Sequence, residues 1–276
     1  LFGINEIWPR LVAPLFGLGC LIMTSLLGNR LYPRTPVRFT APLLLIGCYY
    51  WALFTTLTMF DLIVVFWSLV GIYGLVLIRH TAPWRGWFLF GCATGLGILS
   101  KGPIILVFLL PSALLAPYWL KSEVNVSWLK WYTGILVSMI FGTCIALAWA
   151  IPAGNSGGIA YQEAILWGQS AGRIIRSFAH EKPLWWYTVI LPGVLLPWLI
   201  WPSLLKRIWL LFDDYRNEHF KPDKGLRLML VWTLPALVFL SFISGKQPHY
   251  LFPLFPALAL SVSILFSKYP KSNLIQ

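Results

Sequence analysis

Residues 131–151, WYTGILVSMIFGTCIALAWAI, form an apolar run without a charged side chain. A helix of this length crosses a bilayer, because each residue advances it by about 1.5 Å and the hydrocarbon core is about 30 Å thick. Apolar runs recur along the whole chain, at residues 11–29, 40–56, 60–78, 87–100, 103–120, 184–205, 227–244 and 250–267. The pattern predicts an all-α integral membrane protein, a single domain over residues 1–276 with about nine transmembrane helices.

The composition excludes an ordinary soluble domain. Hydrophobic residues make up 58% of the 276 residues and charged residues 11%, and the mean hydropathy is +0.75, which is outside the usual range of globular proteins. The net charge of +12 comes from Lys and Arg that stand singly or in pairs between apolar runs. This distribution predicts no surface for nucleic acid and favours anionic lipid headgroups and phosphate-bearing substrates as partners.

The basic residues sort between alternate loops, as the positive-inside rule requires of a multi-span protein. With an outward N-terminus, most of the 21 Lys and Arg residues fall in inward segments. The outward exceptions are Arg10, Lys101, Arg173, Arg176, Lys182 and Lys246. Because the rule disfavours cations there, these residues are candidates for binding an anion. The inward segment 206–226 mixes both charge signs and is predicted to be a solvated connector.

The longest outward segment, residues 152–183, is predicted to form an amphipathic helix on the outer membrane surface, because its apolar residues recur with helical spacing. Its end, RSFAHEKPLWWY (176–187), places His180 before an aromatic-rich span. An interfacial charge cluster would explain these residues. The functional alternative is an anion clamp made by Arg173 and Arg176, with His180 binding phosphate, a divalent metal or a proton.

Two ionisable residues interrupt the apolar runs in the first half of the chain. Asp61, in TLTMFDLIVVF (56–66), stands at the outward end of the third predicted span. Its carboxylate must face a wet cavity or a cation, or cap the helix N-terminus. Lys101, in GLGILSKGP (95–103), separates the fourth and fifth predicted spans. It either snorkels to the outer interface or pairs with a phosphate or a carboxylate in an outward cavity.

The segment SGKQPHYLFPLFPALAL (244–260) joins the last two predicted spans and concentrates polar groups in a very short loop. These groups are Lys246, His249 and Tyr250, and Pro248 restricts the backbone between them. A simple connector needs none of this polarity. Charge-assisted hydrogen bonds from these side chains would hold a phosphate or diphosphate at the outer membrane surface.

Five stretches, in this order, resemble the membrane glycosyltransferases of the GT-C superfamily, in the family 39-like branch that contains protein O-mannosyltransferases and the aminoarabinose transferases of lipid A. They are GINEIWPRL (3–11), LTMFDLIVVFWSLVGIYG (57–74), GLGILSKGPI (95–104), HEKPLWWY (180–187) with LPGVLLPW (191–198), and SGKQPHYLFPLFPALAL (244–260). The resemblance implies a GT-C-like bundle that transfers a sugar from a polyprenyl phosphate, such as undecaprenyl phosphate, to a lipid A, protein or glycan acceptor. It also implies a bacterial inner-membrane location with a periplasmic active face.

The resemblance implies roles for individual residues as well. Asp61 matches an acidic site of the family and is predicted to be catalytic. The donor phosphate is predicted to be bound by Lys101, Arg173, Arg176, His180, Lys246, His249 and Tyr250, and His180 is the candidate ligand of a divalent metal cofactor. The principal carboxylate of the family lies in the first outward loop, so we expect that loop and the first helix to precede Leu1.

Two other classes of function stay open. A transporter or flippase of lipid-linked saccharides would also need many spans and a phosphate-binding cavity, and it would place ionisable residues and broken helices near the bilayer midplane. An inactive, truncated relative would bind a lipid-linked sugar without transferring it. The sequence favours the transferase, because its unusual charges gather at one interface.

Overall fold

The computed structural model describes residues 7–78, 83–120, 127–158, 182–217, 220–243 and 245–269, and these residues are helical apart from short connections. The predicted all-α class is therefore confirmed. The α-helices are α1 (Ile7–Leu31), α2 (Val37–Gly47), α3 (Tyr49–Thr56), α4 (Asp61–Leu77), α5 (Pro83–Lys101), α6 (Ile105–Leu114), α7 (Ala116–Leu120), α8 (Trp128–Gly157), α9 (Trp186–Val194), α10 (Pro202–Arg216), α11 (Lys224–Phe242) and α12 (Phe255–Lys268). Three 3-10 helices join some of them, at Gly102–Ile104, Trp198–Ile200 and Pro248–Leu254.

The number of helices that can cross a membrane is smaller than predicted. Within the described residues, five helical runs have the length and hydropathy of a span: Ile7–Leu31, Pro83–Leu114, Trp128–Gly157, Lys224–Phe242 and Pro248–Lys268. Helices α2 and α3 make a sixth if they count as one span, which is bent by 72°. The prediction of nine spans is therefore wrong for the part of the chain that the structure describes.

The difference has local causes. Helix α4 has only 17 residues, and α6, which lies in the predicted span 103–120, has only 10. The predicted span 184–205 is divided into α9, a 3-10 turn and the start of α10, in a stretch where Pro197 and Pro202 remove backbone hydrogen-bond donors. Apolar composition does not reveal such interruptions.

The helical run Pro83–Leu114 turns back on itself between α5 and α6. Gly102 has a φ of 77°, a left-handed value that favours glycine. The side chain of Ile105 packs against Gly97, although these two residues would lie about 12 Å apart along a straight helix. Helices α5 and α6 therefore form a hairpin with Lys101 at its tip.

Helix α4 packs against both arms of this hairpin. A Cβ atom at Gly71 would lie 2.5 Å from Leu109 Cδ2 and 3.3 Å from Ala93 Cβ, so α5 and α6 pass α4 at the same depth. Helix α4 begins at Asp61, and the neighbouring helix α5 ends at Lys101. The antiparallel packing of α4 and α5 thus brings these two residues to the same end of the bundle, which we call the site end.

The opposite end of the bundle collects basic residues at helix termini. In the described part of the chain these are Arg30, Arg38, Arg85, Lys130, Lys224, Arg227 and Lys268. Their position agrees with the charge sorting found in the sequence. Two predicted connections differ: residues 152–157 continue α8, and residues 206–216 belong to α10 and do not form a solvated connector. The rest of the predicted surface helix, residues 159–181, lies outside the described residues.

Close packing of α5 and α8 gives the first testable prediction. A Cβ atom at Gly142 of α8 would lie 2.7 Å from the Gly91 main-chain oxygen and 3.0 Å from the Gly95 nitrogen, both in α5. The substitution Gly142→Ala must push the helices apart, and such overpacking costs about 1–3 kcal/mol. We expect a lower midpoint of thermal unfolding for this variant in detergent.

The matched control is Gly47→Ala in α2, where a Cβ atom meets nothing within 4 Å. Because alanine favours helix over glycine by about 1 kcal/mol, this variant should be neutral or slightly stabilised. Equal losses in both variants would contradict the close approach of α5 and α8.

Candidate active site

Asp61 is the first residue of α4 and is buried, with 7% of its surface exposed. A carboxylate in the first turn is stabilised by the partial positive charge of the helix N-terminus. The N-cap position belongs to Phe60, and no side-chain capping hydrogen bond is made there. Asp61 is therefore not the N-cap, and its side chain is engaged by a cation instead.

That cation is Lys101, the last residue of α5. Its Nζ donates to Asp61 Oδ1 at 2.6 Å and lies 4.9 Å from the centroid of the Tyr250 ring, a cation–π distance. The Lys101 side chain is 25% exposed, against 9% for that of Asp61. Of the two interpretations from sequence, pairing with a carboxylate is the one the structure shows.

His249 and Tyr250 reach this pair from the 3-10 helix Pro248–Leu254, which packs against α4. His249 is buried, and its Nε2 lies 4.0 Å from Asp61 Oδ1. This distance is too long for a hydrogen bond, but it is short enough for electrostatic attraction when the imidazole is protonated. The His249 and Tyr250 rings meet edge to face, with centroids 4.9 Å apart. We call these four residues the Asp61 cluster.

The Asp61 cluster lies below the site-end terminus of α1. The Sγ of Cys20 in α1 donates to the main-chain oxygen of Leu62 at 3.6 Å, and Gly17 packs near the Leu62 side chain. Arg10 precedes Gly17 by seven residues in the same helix, which is about 10 Å along its axis. Helix α1 therefore extends beyond Asp61 at the site end, and we call the region beside α1 that contains the Asp61 cluster the recess.

Lys246 belongs to the same loop but has a different partner. It is buried, with 3% exposed, and its Nζ donates to the main-chain oxygen of Lys182 at 2.8 Å. The Tyr187 hydroxyl donates to the main-chain oxygen of Gln247 at 3.3 Å, so the loop is tied to the segment that leads into α9. Burial lowers the pKa of Lys246, because the charged ammonium loses solvation.

Three predicted site residues cannot be placed relative to this cluster. Arg173, Arg176 and His180 lie outside the described residues, so their predicted roles in binding phosphate stay predictions. The predicted metal also stays a prediction: the described residues contain no group of three or more His, Cys, Asp or Glu side chains suited to hold an ion, and the candidate ligand His180 is not among them.

The structure adds two aromatic residues that sequence reasoning did not single out. Phe54 of α3 packs beside the His249 ring, with centroids 5.9 Å apart, and Tyr187 holds the loop through Gln247. Tyr187 ends the HEKPLWWY stretch, so its motif was a usable signal. Phe54 had no such signal in the sequence, because it is one of 18 Phe residues in an apolar chain. Its position beside His249 depends on the bend between α2 and α3.

The arrangement suits the binding of an anion beside a proton-transferring group. A lysine ammonium has three N–H donors, and Lys101 uses one of them on Asp61. The other two N–H donors of this partly exposed side chain can bind an oxyanion. Hydrogen bonds to an oxyanion are stronger where the surroundings have low polarity. His249 lies close enough to the ion pair to exchange a proton with a ligand bound there.

Comparison with solved structures defines the class of fold. The crystal structure of ArnT from Cupriavidus metallidurans bound to undecaprenyl phosphate superposes with a TM-score of 0.75, covering 99% of this chain and 48% of that chain at 18% identity. The fold is thus that of the GT-C membrane glycosyltransferases. Residues 1–149 match the family described as dolichyl-phosphate-mannose-protein mannosyltransferase. This chain belongs to that family.

Curated relatives agree with this assignment. The undecaprenyl phosphate-alpha-4-amino-4-deoxy-L-arabinose arabinosyl transferase of Pseudomonas paraeruginosa is 32% identical over 203 residues, which are 71% of this chain and 34% of the relative. A Pseudomonas fluorescens protein of the same name is 28% identical over 268 residues, 94% of this chain and 46% of the relative. This chain spans between about a third and a half of the length of these relatives.

The ion pair gives a prediction about stability. Because removing one partner leaves the other charged in a poorly solvated site, Asp61→Asn and Lys101→Met should each cost about 1–3 kcal/mol. The double variant should lose less than the sum of the two, since it leaves no uncompensated charge. Thermal unfolding of the four proteins in detergent measures this coupling.

The control pairs Asp61→Asn with Lys182→Met, because Lys182 is an exposed lysine whose described contact uses its main chain. Its effect should simply add to that of Asp61→Asn. Additive behaviour of Asp61 and Lys101 as well would show that the ion pair contributes nothing to stability.

Proposed function

We propose that this protein is a glycosyltransferase that moves a sugar from a polyprenyl-phosphate donor to a lipid A, protein or glycan acceptor. The observation that carries the proposal is the Lys101 ammonium, fixed in the recess by Asp61 and facing the Tyr250 ring. Transfer from such a donor leaves an anionic lipid phosphate. A preorganised cation stabilises that charge as it develops.

The names of the related proteins support the donor class. The relatives from the two Pseudomonas species are named for an undecaprenyl phosphate donor, and the ArnT structure contains undecaprenyl phosphate. The family description names dolichyl phosphate instead. Since both lipids are polyprenyl phosphates, the shared chemistry is the lipid phosphate, and the Asp61 cluster offers a cation to that part of the donor.

The contacts of Asp61 support a positioning role within this function. Its Oδ1 accepts the Lys101 hydrogen bond, and little of the side chain reaches the open recess. The carboxylate therefore holds Lys101 in place and offsets its charge when no phosphate is bound. The catalytic role predicted for Asp61 from the family resemblance, taken as that of a base, would instead require Asp61 to reach the acceptor nucleophile.

We further propose that the site end faces the periplasm of a bacterial inner membrane. Basic residues of the described segments gather at the opposite end of the bundle, and such residues favour the cytoplasmic side. A polyprenyl-phosphate sugar presented in the outer leaflet of that membrane would place its phosphate near the recess.

A flippase is less well supported by the packing below the recess. The bend between α2 and α3 is the kind of broken helix that a transporter uses. However, the buried Asp, Lys, Arg and His side chains of the described residues are Asp61, Lys246 and His249 at the site end and Arg207 near the other. Between them the described core contains fully buried apolar side chains such as Val65, Leu69 and Leu109, and its buried polar residues there are small hydroxyl residues such as Ser68 and Thr94, which carry no charge.

The function can be tested with the protein expressed from its complete gene and reconstituted in proteoliposomes. We expect a labelled undecaprenyl-phosphate sugar, supplied with lipid A, to yield glycosylated acceptor and free undecaprenyl phosphate in equal amounts. Movement of intact donor across the bilayer without loss of sugar would overturn the proposal in favour of a flippase. Donor binding with neither transfer nor movement would indicate a relative that only binds.

Steady-state kinetics separate the proposed roles of the two ion-pair residues. Lys101→Met should lower kcat about 10²–10³-fold, as expected when a donor to a developing oxyanion is removed. Asp61→Asn should chiefly raise KM for the donor, and Asp61→Glu should restore most of the affinity because it keeps the charge. If Asp61→Asn instead abolishes kcat at unchanged KM while Lys101→Met stays active, Asp61 is the base and Lys101 is structural.

Donor affinity should also depend on pH through Lys246, if this lysine binds the lipid phosphate. Burial lowers the pKa of Lys246, and its protonated form is the one that attracts phosphate. The contribution is therefore complete below that pKa and is lost as the pH rises through it, earlier than for an exposed lysine. Lys246→Arg should lose less affinity than the wild type over the same range, since arginine stays charged to about pH 12.

Binding of undecaprenyl phosphate between pH 7 and 10, measured by microscale thermophoresis, provides the test. Thermal unfolding of the variant at each pH shows that its fold is intact. Parallel pH profiles for the wild type and Lys246→Arg would remove Lys246 from the phosphate site.

A further inference from the structure

Helix α10 lies across the end of α12 instead of alongside it. At its start, the Trp201 ring lies 4.7 Å from that of Phe266. Six residues later, Arg207 Nε donates to the main-chain oxygen of Tyr269 at 2.9 Å. Near its end, Asp214 accepts a hydrogen bond from the Tyr269 hydroxyl. All these contacts fall on the last residues of α12 and the residue that follows it.

These contacts fix the direction of α10. Residues 201 and 214 are about 20 Å apart along a helix, whereas residues 266 and 269 are only about 5 Å apart. Two helices packed side by side would advance along each other at equal rates. Because α12 belongs to a candidate membrane span that ends at Lys268, a helix that crosses its end runs along the membrane surface.

One face of α10 exposes large apolar side chains. They follow helical spacing, and their exposed fractions are 45% for Leu205, 63% for Trp209, 67% for Phe212 and 68% for Tyr215. The opposite face packs onto α12 through Leu204 and Arg207, which are 1% and 2% exposed. An apolar stripe of this size is unfavourable in water, at about 25 cal/mol for each Å² exposed.

Polar residues line one edge of this apolar face. Lys206 and Asp213 are both exposed and, being seven residues apart, lie on the same side of α10, next to Trp209. Arg216 is exposed at the end of the helix, where a long side chain can extend from an apolar face to headgroup phosphates. A helix with one protein face, one apolar face and one charged edge matches the layered polarity of a membrane surface.

We propose that α10 is an interfacial helix, seated in the headgroup layer of the leaflet opposite the site end, with Leu205, Trp209, Phe212 and Tyr215 directed into the acyl boundary. The partner is the lipid surface itself. Tryptophan and tyrosine rings favour this layer, because one edge is apolar and the other can hydrogen-bond. The basic helix termini that surround α10 at this end add attraction for anionic headgroups.

Spin labelling can test this arrangement. The full-length protein, with Cys92 and Cys144 changed to Ser, keeps the buried residues Cys20 and Cys48. It receives one nitroxide at Phe212→Cys or, as the matched control on the charged edge, at Asp213→Cys. In nanodiscs of phosphatidylethanolamine and phosphatidylglycerol, collisions with lipid-soluble oxygen are compared with collisions with a water-soluble nickel complex.

We expect an oxygen-to-nickel collision ratio several-fold higher at position 212 than at position 213. Equal accessibility of both positions to nickel would show that α10 is exposed to water and would overturn the proposal. Exclusion of both reagents at position 212, with dipolar coupling between labels on two copies, would show that a second chain covers the face. High oxygen access at position 213 as well would mean that the helix is immersed, not interfacial. Leu205→Cys repeats the measurement at a second position on the apolar face.

Discussion

The ion pair between Asp61 and Lys101 allows two charged side chains to lie inside a helical bundle that is surrounded by lipid. An unpaired charge at this depth is costly, so each partner is tolerated because the other is 2.6 Å away. The carboxylate starts α4 and the ammonium ends α5, so each also faces the helix terminus of favourable polarity. The same contact locks two antiparallel helices in register. Packing and electrostatics therefore depend on one another here, and they keep a cation at the end of the bundle opposite the basic helix termini.

The breaks in the helices explain how the ion pair becomes a site. The 3-10 helix Gly102–Ile104 follows Lys101, the 3-10 helix Pro248–Leu254 carries His249, and the bend between α2 and α3 brings Phe54 to the His249 ring. Irregular backbone at membrane depth must be satisfied within the protein, and here Tyr250 N–H donates to the Gln247 main-chain oxygen. Continuous helices would have filled this end with apolar side chains. The recess lies where the regular structure stops.

Sequence reasoning found the members of the Asp61 cluster but not their geometry. Asp61, Lys101, His249 and Tyr250 stood out because a charged or polar residue beside an apolar run is expensive, and that cost is local. Lys246 stood out for the same reason, yet its described partner is the Lys182 main chain, which no spacing rule predicts. The span count failed because hydropathy measures composition and ignores backbone breaks such as the one around Pro197. The sequence did not predict helix α10, because its charged residues indicated a solvated connector. Its aromatic stripe can be recognised only when the structure shows which face of the helix is buried.

The two ends of the bundle show that burial alone does not mark a functional cation. Arg207 is only 2% exposed, and its guanidinium is held by the main-chain oxygens of Tyr269 and Ser203 and by the Phe266 ring. Its donors are directed at the protein, so its charge serves to fasten α10 to α12. Lys101 is 25% exposed and its carboxylate partner is buried. A cation that is anchored on one side and open on the other can exchange a bound anion. This difference in exposure, rather than charge or depth, is the reason we propose a structural role for Arg207 and an anion-binding role for Lys101.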